Sequence, residues 1–113
     1  MNLNDLAERF GLKVYSGRNE LTRTIGGGYV GDLLSDVMAN GRKDDLWITL
    51  QVHPNVVAVA ALKELAGVVL INGREPAPET AERADKEGVP VLGTALSAFE
   101  FAGKLYALGV RGR

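Results

Sequence analysis

The sequence contains no cysteine, one histidine and one tryptophan in 113 residues. Without cysteine there is no disulfide framework and no thiolate chemistry, which suits a reducing, cytoplasmic setting. A lone histidine argues against a closed zinc site, and the scattered carboxylates do not make a transition-metal set. No metal and no cofactor is therefore expected. Charge of either sign is not in excess: the formal net charge is −1, so nothing draws the chain to nucleic acid or to an anionic membrane. No apolar run approaches the ~20 residues of a membrane span. The opening MNLNDLAERF lacks the basic-then-apolar pattern of a signal peptide.

What remains is an ordinary globular composition, 46% hydrophobic and 24% charged, in a chain long enough for one core and too short for two. The pattern predicts a single α/β domain over residues 1–113: a layered structure with a mainly parallel, four- to five-stranded sheet flanked by helices. Asp45 to Gly73 carries most of that prediction. Leu46–Thr49 and Val68–Ile71 read as buried strands, and Pro54–Leu65 between them reads as a crossover helix, which makes the strands parallel. That helix is apolar nearly all round, from Val56 to Leu65, and is expected to be covered on more than one side, by this chain or by a partner.

The flanking elements are weaker signals. Residues 1–21 read as a short helix capped by Asn2 and ended by Gly11, followed by an edge segment at Leu12–Tyr15. Gly28–Val30 reads as the end of a strand, with Asp32 capping a helix to about Ala39. A charged helix is expected over Glu79–Glu87, a strand at Val91–Leu92, and a last helix from the Ser97 cap to about Leu108. Val110–Arg113 reads as a frayed tail.

In an open parallel sheet, ligands bind beyond the carboxyl ends of the strands. The segments expected there supply Gly27, Gly28, Asp32, Thr49, Gln51, His53, Asn55, Asn72, Arg74 and Thr94, the candidate ligand-binding residues. The glycine run Gly26–Gly28 reads either as a phosphate cradle or as a close approach of two backbones. Asp32 reads as a helix cap or as an acid. His53 reads as a turn residue or as a general base. Asn55 and Ser97 are most simply caps. Arg74 is the best anion-binding candidate, because a guanidinium fork suits phosphate or carboxylate. The last helix carries a second stripe, Phe99 and Tyr106, and a Gly103 that close packing would explain.

The strings YVGDLLSDVM, DLWIT, HPNVVAVA, GVVLING, GVPVL and SAFEFAGKLY resemble the DRTGG domain over residues 22–108. The resemblance implies a compact α/β domain used for regulation or oligomerisation, without an established activity of its own. It also implies a fold similar to the N-terminal domain of HPr kinase. The sequence departs from the family where larger members carry Gly-Asp-Arg and Thr-Gly-Gly; here Gln51-Val52-His53 and Asn72-Gly73-Arg74 stand in those places.

Three readings follow. The first is a non-catalytic, cytoplasmic regulatory or ligand-sensing module that binds a small anionic ligand or nucleotide at the strand carboxyl edge and forms a homodimer. The second is a protein-interaction or oligomerisation domain that docks on a partner enzyme. The third is a small enzyme using His53 and Asp32, for which no third orienting group is evident.

Overall fold

A computed structural model describes residues 1–113. The elements run α1 (Leu3–Phe10), β1 (Lys13–Ser16), β2 (Gly27–Val30), α2 (Leu34–Asn40), β3 (Asp45–Thr49), α3 (Asn55–Leu62), β4 (Gly67–Leu70), α4 (Pro78–Glu87), β5 (Val91–Gly93) and α5 (Ala98–Ala107). They form one α/β domain around a five-stranded sheet of order β1-β5-β4-β3-β2. Strands β2 to β5 are parallel, and β1 runs antiparallel to β5. No helix is long and apolar enough to cross a membrane.

Both faces of the sheet are buried, which explains the unbroken apolar runs of β3 and β4. Their side chains still alternate. Trp47, Val68, Leu70 and Val91 pack with Val37 of α2, Val56 and Val57 of α3 and Ala84 of α4. Leu46, Ile48, Val69 and Leu92 pack with Leu3 and Leu6 of α1 and with Phe101 and Leu105 of α5. Each of the three crossovers steps from one strand to its neighbour in the same direction. Right-handed connections of that kind must put their helices on one face, and α2, α3 and α4 share one.

This arrangement answers the question raised by α3. The helix is flanked by α2 and α4 within its own layer, so its sides as well as its underside are covered by this chain. A partner is not needed to explain its composition, although Leu62 remains 70% exposed. The outer stripe of α5 is different. Phe99 is 86% and Tyr106 60% exposed, and Gly103 faces open space instead of a second backbone.

Four local expectations are corrected. Gly28–Val30 does end a strand, β2, but that strand opens at Gly27, so Gly27 and Gly28 lie at the amino-terminal edge of the sheet and not beyond its carboxyl ends. The tail, expected to be frayed, is docked against them. The Gly28 N–H donates to the Arg111 carbonyl at 3.0 Å, and a Cβ at Gly27 would sit 2.8 Å from that same oxygen. Arg113 then closes on the buried Asp45 carboxylate at 2.8 Å. Asp32 does not cap α2; the residue before that helix is Leu33, with no side-chain cap bond. Pro54 precedes α3, so Asn55 is its first residue and not its cap. Asn2 and Ser97 do cap their helices, accepting from the Asp5 N–H at 2.9 Å and the Glu100 N–H at 3.3 Å.

Candidate functional site

The carboxyl edge of the sheet divides into two halves. In the first, beyond β2 and β3, the polar groups satisfy one another. The Asp32 carboxylate accepts from the Thr49 hydroxyl at 2.7 Å and from the Leu50 N–H at 2.9 Å. The Asp32 carbonyl accepts from the Gln51 side-chain amide at 2.8 Å. Asp32, Thr49 and Gln51 therefore tie the β2–α2 loop to the β3–α3 loop. Sequence reading missed this role because the partner lies across the sheet, and a cap was the nearest local use for an aspartate before a helix. His53 and Asn55 follow on the surface, exposed, and neither side chain is hydrogen-bonded to the chain.

The second half lies beyond β4 and β5. Here the connections diverge: β4 leads to α4 on one face and β5 leads to α5 on the other. Such a divergence opens a crevice at strand carboxyl ends in doubly wound folds. Here the crevice is partly laced. Asn72 and Gly73, both with left-handed backbone (φ 59° and 71°), donate their N–H groups to Leu96 and Thr94 carbonyls at 2.9 Å each. The opening that remains lies toward β1, whose antiparallel course brings its first residue, Lys13, opposite Gly93.

That opening is a cavity of about 380 Å³, within the size range of small-molecule sites. Among its eleven lining residues are Lys13, Arg74 and Lys104, and no carboxylate is among them. None of the three cations enters an ion pair. Thr94 lines the cavity as well; its hydroxyl oxygen accepts from the Leu96 N–H at 3.2 Å, which leaves its proton free to donate. Tyr15 and Phe10 add two aromatic walls.

Of the ten residues singled out in the sequence, Arg74 and Thr94 line this cavity. Asp32, Thr49 and Gln51 make the separate network, Asn72 shapes the loop beside the cavity, and Gly27 and Gly28 are at the opposite edge under the tail. The cavity also takes Phe10, Lys13, Tyr15 and Lys104, which sequence reading did not select. The pairing of β1 with β5 brings Lys13 and Tyr15 there, while Phe10 comes from the end of α1 and Lys104 from α5, and no short motif signals that juxtaposition.

The family model for the DRTGG domain matches residues 5–108. The chain belongs to the DRTGG domain family. The match takes in α1 and β1 as well as the 22–108 stretch, so the elements that bring Phe10, Lys13 and Tyr15 to the cavity are part of the domain. Among solved structures, the fold is similar to the CBS and DRTGG domains of the regulatory region of Clostridium perfringens pyrophosphatase, complexed with the activator diadenosine tetraphosphate. The TM-score is 0.73 at 14% identity, over 90% of this chain and 44% of that one. The DRTGG chain thus spans less than half the length of that regulatory region, and the likeness is one of fold. No curated protein sequence matches it.

Proposed function

We propose that this DRTGG domain is a non-catalytic, cytoplasmic regulatory module that senses a small anionic ligand, nucleotides included, at the carboxyl edge of its sheet. The observation that carries the reading is the cavity between β5 and β1, whose lining includes three cations without an ion-pair partner and no acid. All three cations are exposed and free to turn toward an anion seated in the cavity, where each can supply a charge-assisted hydrogen bond. The regulatory setting of the structurally similar pyrophosphatase region supports the same reading. An enzymatic role for His53 and Asp32 has no such support: one Asp32 oxygen already accepts two bonds, and His53 does not line the cavity.

Arg74→Ala is expected to weaken anion binding by about 1.5–3 kcal/mol, the scale of a charge-assisted hydrogen bond, which is roughly ten- to a hundred-fold in affinity. Titration calorimetry with pyrophosphate and a nucleotide panel measures it, with His53→Ala as the unaffected control. Binding that is unchanged in Arg74→Ala would place the site elsewhere.

The outer face of α5 favours a second, compatible role as an oligomerisation surface. Phe99 and Tyr106, seven residues apart, lie exposed, with the Arg111 guanidinium 3.7 Å over the Tyr106 ring, and the exposed Val30 lies on the neighbouring edge strand. A homodimer is the commonest arrangement that buries such a face against its own copy. Phe99→Glu should then shift the sedimentation coefficient at micromolar concentration from dimer toward monomer. A wild-type monomer under the same conditions would leave the face to a partner enzyme or to no partner at all.

A further inference from the structure

The cavity has a second chemical character besides its charge, set by how Tyr15 reaches it. Val14 pairs with Leu92, yet Ser16 pairs with Val91, so β1 carries one extra residue at Tyr15. Such a β-bulge re-aims a side chain and is frequent beside functional sites. The irregularity is fixed by Ser16, whose buried hydroxyl donates to the Val89 carbonyl at 2.9 Å and accepts from the Val91 N–H at 3.0 Å. The opposing strand makes room for the re-aimed ring. A Cβ at Gly93 would stand 2.8 Å from the Tyr15 Cε2 and 3.3 Å from its hydroxyl. The ring therefore packs on bare Gly93 backbone while lining the cavity, and its hydroxyl has no hydrogen-bond partner within the chain. Phe10 is held on the other side by edge-on contact with Phe101, their centroids 5.8 Å apart.

We propose that the cavity is a two-part site for a phosphorylated ligand with a planar ring, a nucleoside phosphate, in which Tyr15 and Phe10 form the ring subsite and Lys13, Arg74 and Lys104 form the phosphate subsite. This rests on the reading of the carboxyl edge as an anion site and deepens it by assigning the ring and the phosphate of the ligand to separate residues. The charge count selects phosphate over a simple carboxylate. Three cations without an acid match a group carrying about −1.5 to −2 charges, as a phosphomonoester does at pH 7, or a diphosphate with more. The two fixed rings, from α1 and from β1, supply the sequence-tolerant stacking surface that a base uses. The Thr94 hydroxyl and the free Tyr15 hydroxyl add donors between the two subsites.

The test is calorimetric titration of the full chain with pyrophosphate, ribose 5-phosphate, AMP, ADP and UMP at one ionic strength. The expected result is that AMP binds at least ten-fold more tightly than ribose 5-phosphate, and ADP at least ten-fold more tightly than pyrophosphate. Lys104→Glu, on an exposed helix position, should lower affinity for every phosphate at least ten-fold. Tyr15→Leu should bring the ADP-to-pyrophosphate ratio toward one, and Tyr15→Phe should keep it. If pyrophosphate binds as tightly as ADP in the wild type, the ring subsite is refuted while the anion-site reading stands. If no phosphate binds, that broader reading falls with it. Adenosine is titrated alongside the phosphates, and its binding as tightly as AMP would overturn the phosphate subsite.

Discussion

Trp47→Ala should lower the stability of the domain by about 3–5 kcal/mol, the usual cost of emptying a large aromatic site in a core. The residue is fully buried at the centre of β3, with the three-helix layer packed over it. Its indole N–H donates to the Gly31 carbonyl at 2.7 Å, so the substitution removes a hydrogen bond as well as volume. A small domain has only about 5–15 kcal/mol in total, and the variant is expected to be partly unfolded at 37 °C. Urea titration checks this: the midpoint should fall with the slope unchanged. Trp47→Phe separates the two contributions. It keeps most of the ring but leaves Gly31 without its indole donor, and should cost about 1–3 kcal/mol. A Trp47→Ala loss below 1 kcal/mol would mean that the core closes around the vacancy.

Gly17→Ala is the second large effect, about 2–5 kcal/mol. Gly17 has φ 69°, and a Cβ there would stand 2.5 Å from the Pro90 nitrogen and 2.6 Å from its Cα. Left-handed backbone costs an L-residue about 1–2 kcal/mol, and crowding a packed site adds about 1–3. The crowding cannot be relieved by a side chain, because the atoms met are backbone entering β5. Gly11 supplies the control. Its φ is 61°, almost the same, but nothing lies within 4 Å of its Cβ position, so Gly11→Ala should cost only about 1–2 kcal/mol. Equal losses in the two variants, read from urea midpoints, would show that conformation alone sets the cost at Gly17.

Much of this fold was legible because local and global signals agree. The runs at Leu46–Thr49 and Val68–Ile71 are β-branched and bounded by turns, and they are the central strands. The Asn2 and Ser97 caps follow from short-range side-chain geometry, and they formed. What could not be read depends on contacts between residues distant in sequence. Asp32 looked like a cap because its true partners, Thr49 and Leu50, arrive from the neighbouring strand. Of the two readings of the glycine run, the close approach of two backbones is the one that formed, but its partner could not be named because the tail lies at the far end of the chain. Arg74 and Thr94 could be nominated from the strand-end rule. Lys13, Tyr15 and Lys104 could not, since the rule says nothing of an antiparallel edge strand or of the helix behind it.

The pairing of β1 with β5 also sets an order of assembly. Strands β2 to β5 are joined to their neighbours by crossovers within the chain, so each βαβ unit can form from nearby residues. The first strand cannot. The Ser16–Val89 hydrogen bond closes a separation of 73 residues, and entropy delays such long closures until the rest of the sheet exists to receive them. Lys13 and Tyr15 travel on that strand. The cavity is therefore expected to form late in folding, together with the tail, whose Gly28–Arg111 hydrogen bond joins residues still farther apart in sequence.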